Sequence, residues 1–304
     1  MAQRQPRSRF IVNPSLTVIR SSDDEIIVRF GSRSTFSRRL KDDQRNGILG
    51  NLVEHFAVGA NVDAFLKGDV SPEVVHTVIS SLVQEKVLIP ESDAAASAVA
   101  LGLGLADETA IAASTIAVVG DGSIAARLST QLRASGPAVE ASPALTPEAF
   151  ETADLVVVAA DAPDIGLFFD ANEAALSLDR PWQSVYVDGA ECVIGPLFYP
   201  GHTGCFHDFD IMDESARSLR LDYLYYKGAT MKAGRNLPDF VADLAASYAT
   251  ASVLQHLGGK GSFLEGFVLR VDLERLEIIR DQLIQLPRCP ACIQKRPYLR
   301  HPFI

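Results

Sequence analysis

An unbroken apolar run, Thr115 to Val119, delivers the chain directly into Gly120-Asp121-Gly122-Ser123-Ile124-Ala125, and an amphipathic helix pattern continues from Ser123 to Ala134. No other stretch constrains the fold as strongly. A strand whose successive residues are all apolar is covered on both faces, and a glycine turn that feeds a helix straight from such a strand belongs to a layered α/β sheet. The glycines permit the tight turn, and the helix start offers unbonded amides and a positive dipole to an anion. Ala138 to Ala141 predicts the next short strand. Glu140, near its end and about 20 residues beyond the glycines, stands where an acid would hold a ribose.

A second buried run follows at Asp154 to Ala160, carried by Leu155, Val156, Val157 and Val158. Strand and helix alternate, so residues 114–304 read as a Rossmann-like domain with a mainly parallel sheet. Trp182 to Val187 and Cys192 to Phe198 add strands on either side of the Asp188-Gly189 turn. Leu237 to Leu257 predicts a long helix ended by Gly258-Gly259, and Phe263 to Leu273 a late strand.

The first 92 residues carry a different pattern. Leu16 to Arg20 and Glu25 to Phe30 alternate around a Ser-Ser-Asp-Asp turn, and Ser34 to Arg38 supplies a third strand after Gly31. Helices are predicted over Asp42 to Phe56, Asn61 to Leu66 and Pro72 to Lys86, the last opened by Ser71 with Pro72 in its first turn. Three strands and three helices make a winged-helix-like unit. Residues 93–113, rich in alanine, read as a linker.

Net charge is −10, which excludes nucleic acid as the main partner because phosphate binding needs a basic footprint. Residues 1–50 run against the average, with ten Lys and Arg against five acids. A basic module of this kind attracts an acidic peptide. The Arg-rich start has no apolar signal core behind it, and no apolar run is long enough to span a bilayer, so the expected setting is the cytoplasm with no membrane partner. Four cysteines in a chain of 304 residues cannot form a disulfide framework. The tight pair Cys289-Pro-Ala-Cys292 points to a metal, whereas Cys192, inside an apolar strand, reads as an inert core thiol. His55, His76, His202, His256 and His301 are scattered without ligand spacing, and no nucleophile motif of the GxSxG kind is present.

Asp121 places a negative charge inside the glycine loop, and no Lys or Arg follows before Arg127. Both features oppose a bound phosphate. The order of Thr115–Ala125, Leu155-Val-Val-Val-Ala-Ala-Asp161, Asn172-Glu-Ala-Ala-Leu176, Pro181-Trp182, Gly195-Pro-Leu, Tyr199-Pro-Gly201, Cys205 and Pro287-Arg-Cys289-Pro-Ala-Cys292 resembles the ThiF-like partner proteins of azol(in)e cyclodehydratases. The N-terminal strands and helices resemble the leader-recognition winged helix of the same systems.

That resemblance implies a subunit that grips the leader of a ribosomally made precursor peptide and presents its core to a YcaO cyclodehydratase. The YcaO enzyme uses ATP to cyclise Cys, Ser or Thr onto the preceding amide. An azoline dehydrogenase and a hetero-complex or oligomer are further implied partners. On the strand side the implied leader contacts are Arg33, Ser34, Thr35, Phe36, Ser37 and Arg38, with Arg39 beside them; Val74 and Val78 face them from the third helix. Structural zinc is implied on Cys205, Cys289 and Cys292, with Asp208 or His207 as the fourth ligand. Asp161 falls where active relatives keep an acid for magnesium and ATP, but Ala162-Pro163 replaces the usual Asn. The implied role is therefore a scaffold that holds no ATP. An ATP-dependent adenylating enzyme of the ThiF type is the alternative, and a dinucleotide oxidoreductase, resting on Gly120–Ala125 and Glu140 alone, is a third.

Overall fold

The computed structural model describes residues 9–31, 33–35, 37–66, 71–94, 102–105, 108–227, 237–259 and 261–295. The chain divides into two units, Met1–Gly104 and Leu105–Ile304.

In the first unit, β1 (Arg9–Val12), β5 (Ala60–Asn61) and β6 (Leu88–Pro90) form one antiparallel sheet, ordered β5-β1-β6, while β2 (Thr17–Ser22), β3 (Glu25–Arg29) and β4 (Ser37–Lys41) form another, ordered β2-β3-β4. Ile26 and Val28 alternate inward from β3 onto α1 (Leu49–Phe56) and α3 (Pro72–Gln84), meeting Leu52, Phe56, Val75, Ile79 and Leu82 in one core. The short helix α2 (Val62–Phe65) lies between them in sequence.

Two boundaries differ from the sequence pattern. The third strand begins at Ser37 rather than Ser34, because Gly31 turns with positive φ, Ser34 N–H donates to the Gly31 carbonyl, and Arg29 donates to the Ser34 carbonyl. The first partner available to Arg29 across the sheet is then Ser37. Arg33, Ser34 and Thr35 therefore precede the strand, and Phe36 lies outside the described residues. Likewise, the helix expected from Asp42 starts at Leu49. The Asp42 carboxylate accepts from the Gln44 and Asn46 amides, folding a polar turn that ends at Gly47 with φ +69°.

The second unit opens with α4 (Glu108–Ala113) and continues β7 (Thr115–Val119), α5 (Ser123–Ala134), β8 (Ala138–Ser142), α6 (Pro147–Thr152), β9 (Leu155–Ala160), α7 (Ile165–Leu178), β10 (Trp182–Asp188) and β11 (Glu191–Phe198). After these come α8 (Phe206–Ala216), α9 (Arg220–Lys227), α10 (Asp239–Leu257), β12 (Phe267–Asp272) and β13 (Glu277–Gln282). The seven strands form one sheet in the order β13-β12-β11-β10-β9-β7-β8.

The four strands β8, β7, β9 and β10 pair in parallel, and β10 through β13 pair antiparallel. The expectation of a mainly parallel sheet describes only the first half. A two-residue connection such as Gly189-Ala190 leaves no room for a crossover, so β11 must return alongside β10. One face is covered by α5 and α10, whose Ala242, Ala245, Ala246 and Ala249 let the helix sit close to Val185, Ile194 and Leu197. Phe150, Phe168, Trp182 and Phe206 fill the other. Of residues 93–113, those at 95–101 and 106–107 lie outside the described residues, as do 1–8 and the tail at 296–304. No described helix is long and apolar enough to cross a membrane.

Gly120 sits with φ +148°, and a Cβ there would lie 2.0 Å from the Ala159 carbonyl oxygen of β9. The contact is backbone against backbone and cannot be relieved by a rotamer change. Gly120→Ala is expected to destabilise the second unit by on the order of 3 kcal/mol, read as a lowered denaturant midpoint at unchanged m-value. A shift under about 0.5 kcal/mol would mean that β7 and β9 can separate at this point.

Candidate functional site

Three features of the fold bear on function: a buried sulfur cluster, the glycine turn after β7, and a groove beside β4. The cluster joins Cys205 and Asp208 to Cys289 and Cys292, all four buried, with ligand atoms within 4.8 Å of one another. Cys205 is the N-cap of α8 and Asp208 its third residue, and the two form a reciprocal capping box. Asp208 Oδ2 accepts from the Cys205 amide at 3.1 Å and from the Cys292 thiol at 3.4 Å, while Oδ1 accepts from the Leu286 amide at 3.3 Å.

Cys205 Sγ and Cys289 Sγ stand 3.6 Å apart, far beyond a disulfide bond but close to the ~3.8 Å separation of two thiolates on one tetrahedral zinc. Burial pushes the Cys289 thiol up to about 11, and the neighbouring Asp208 carboxylate adds to the shift. Three thiols and a carboxylate are a donor set that suits a divalent cation of zinc's type, so these residues fit such an ion. His207, the other candidate for the fourth position, packs its ring edge-on against Phe169 instead. Cys192 lies in β11, fully buried, and burial raises its thiol to about 11.

At the end of β7 the Asp161 carboxylate, arriving from β9, accepts from the Ser123 amide at 2.7 Å and from the Ile124 amide at 3.0 Å. A Cβ on Gly122 would collide with that carboxylate at 2.5 Å. The anion seat at the start of α5 is thus filled by a side chain of the protein itself. Arg127 turns away to pair with Asp239 at 2.9 Å and Asp243 at 3.5 Å on α10. Glu140 is exposed on β8 and contacts Thr152 at 3.5 Å. Asp188, at the end of β10, is held by Arg217, whose guanidinium also pairs with Asp213 and lies 3.9 Å over the Tyr223 ring. Only the i,i+4 pair Asp213–Arg217 of this network has a short spacing in the sequence; its links to Asp188 and, through Arg270, to Glu191 join residues from separate elements.

In the first unit, β4 is an edge of its sheet among the described residues. A groove of about 530 Å³ runs beside it, lined by Leu40, Lys41, Asp42, Asp43 and Leu49 on one side and by Glu73, Val74, Thr77, Val78, Ser81 and Glu85 of α3 and its end on the other. Arg38 and Leu40 pair with Val28 and Ile26, so they share the sheet face that meets α3, and Arg38 makes a bidentate ion pair with Glu85. Arg39 and Lys41 fall on the opposite face, where both pair with Glu25.

No family model matches the chain, and no curated protein matches it. Solved structures share its fold. The heterocyclase TruD matches with a TM-score of 0.65 and 21% identity, covering 94% of this chain and 43% of that one. A heterocyclase in complex with substrate and cofactor gives 0.67 and 20%, over 94% of this chain and 39% of the other. E. coli MccB solved with MccA-N7isoASN gives 0.54 and 14%, over 94% and 99%. The chain thus spans about two fifths of the two heterocyclases and nearly all of MccB. At these identities the shared property is the fold.

Asp161→Ala is expected to uncap α5 and lower stability by about 1–2 kcal/mol, measured as the denaturant midpoint of the full chain. Unchanged stability would show that the two amides find water as readily as the carboxylate.

Proposed function

We propose that this chain is a non-catalytic, peptide-binding subunit of an azoline-forming cyclodehydratase, with residues 1–92 as a winged-helix leader-binding module, 93–113 as a linker that runs into the second unit through α4, and 114–304 as a ThiF-like domain of Rossmann type. Its role is to hold the leader of a ribosomally made precursor and present the core to a YcaO enzyme in the cytoplasm. The observation that carries this reading is the open edge of β4 facing α3 across the groove. An extended peptide can add a strand there, its main chain supplying affinity and its alternate side chains entering the space beside Val74 and Val78. The resemblance of the fold to heterocyclases and to MccB supports the same reading.

Because β4 begins at Ser37, the leader contacts that the resemblance implies are redistributed. Ser37 and Arg38 belong to the receiving strand, whereas Arg33, Ser34 and Thr35 stand in the turn before it. A leader along β4 meets Arg38 and Leu40 on the groove face, not Arg39. The adenylating alternative is disfavoured because a nucleotide phosphate at the start of α5 would have to displace the Asp161 carboxylate and lie beside Asp121.

Filling the groove tests the reading. Thr77 and Ser81 are exposed on α3, so Thr77→Trp with Ser81→Trp should leave the fold intact. The double variant is expected to weaken binding of a labelled precursor leader at least ~10-fold and to lower ring formation by the YcaO partner in parallel, followed as loss of one water per ring by mass spectrometry. Unaltered leader affinity, or binding of ATP–Mg to the chain by calorimetry, would overturn it.

Zinc is assigned to Cys205, Asp208, Cys289 and Cys292, where it would tie the chain's ending to α8. One zinc per chain is expected on metal analysis, with Cys289→Ser losing it and Asp208→Cys, which restores a four-thiolate set, holding it more tightly against a chelator. A folded preparation that stays metal-free after zinc is supplied would remove the assignment.

A further inference from the structure

The charge of the groove points to a partner different in sign from the one its basic neighbourhood suggests. Residues 1–50 are rich in arginine, yet neither arginine of β4 offers the groove an uncompensated charge: Arg38 is paired there with Glu85, and Arg39 pairs with Glu25 on the far face. Lys41, although it borders the groove, also reaches Glu25. What the groove itself presents is Asp42, Asp43 and Glu73 around an apolar floor of Leu40, Val74 and Val78. Among the described residues neither Asp43 nor Glu73 makes an ion pair, and both are exposed.

The layout also gives a polarity. Arg38 reaches Glu85 just beyond the C-terminal end of α3, which leaves Glu73, in the first turn, for the stretch of groove where Asp42 and Asp43 leave the strand. At 1.5 Å per residue, Glu73 and Glu85 are roughly 18 Å apart along the helix, the reach of about five or six residues of added strand. One end of that strand lies over a compensated ion pair and the other over Asp43 and Glu73, beside the Asp42 carboxylate that holds the turn.

We propose that the segment held in this groove is an apolar strand carrying a Lys or Arg at the end nearest Asp42, Asp43 and Glu73, rather than an acidic peptide. The inference rests on the reading of the groove as a peptide site and deepens it by specifying the partner's charge. Carboxylates at a solvated rim contribute modestly, so apolar side chains on the floor supply most of the affinity while the cation sets register and direction.

A library of random peptides displayed on phage, panned against the full chain and in parallel against the Thr77→Trp, Ser81→Trp chain, tests it. Peptides captured by the native groove and lost on the filled one should carry more Lys and Arg than Asp and Glu, beside apolar residues at alternate positions. The leading such peptide, synthesised and titrated by fluorescence anisotropy, should bind Asp43→Asn, Glu73→Gln about threefold to tenfold more weakly at low salt, with a smaller salt dependence. Groove-dependent peptides that are acidic or neutral, or that ignore the double neutralisation, would overturn the charge assignment while leaving the groove as a peptide site. Failure to recover any groove-dependent peptide would overturn the peptide reading itself, and this inference with it.

Discussion

The meeting of β7, β9 and α5 at Gly120 and Asp161 is the point on which the second unit turns. Gly120 brings the end of β7 so close to the Ala159 carbonyl that no side chain fits between. That approach sets Asp161, two residues beyond, against the first amides of α5. A helix start leaves several amides without partners, and in this half-buried junction two of them are satisfied by Asp161. Here the partner is covalently part of the fold, so α5 is docked on the sheet whether or not any ligand is present. The Asp161 carboxylate thus takes the place at this helix start where an anion would otherwise sit.

The sulfur cluster is built by an analogous reuse of capping. Asp208 closes the start of α8 by accepting from the Cys205 amide, and the same carboxylate receives the Cys292 thiol. A residue needed for the helix is thereby presented, already oriented, to two cysteines from the far end of the chain. This geometry distinguishes Asp208 from His207, because successive helical residues point in different directions and only the third residue of the turn comes back over its N-cap.

In the first unit the sheet register separates charges that are adjacent in sequence. Arg38 and Arg39 are neighbours on paper, but strand pleating sends one toward α3 and the other toward Glu25. A count of basic residues therefore misstates what the groove offers. The carboxylates that do face it come from the Asp42 turn and from the first turn of α3, two places where acids are favoured for local reasons, turn formation and helix dipole. The groove's acidity is thus a by-product of secondary structure.

Much of this was legible in the sequence, and the legible part has a common character. The buried runs at Thr115–Val119 and Leu155–Ala160, the glycine turn, the helices with clear apolar stripes and the Cys289–Cys292 pair are local signals, decided within a few residues by periodicity and backbone freedom. Strands β1, β5 and β13 gave no comparable signal: the first two are short and pair only across long separations, and Glu277–Gln282 is exposed throughout. The delay of β4 to Ser37 and of α1 to Leu49 came from hydrogen bonds in the preceding turns that outcompete propensity. Tertiary structure alone decided that Asp161 fills the anion seat, that Asp208 rather than His207 joins the thiols, and which of two adjacent arginines faces the groove. Each depends on distance between residues far apart in the chain, and spacing along a sequence carries no measure of that.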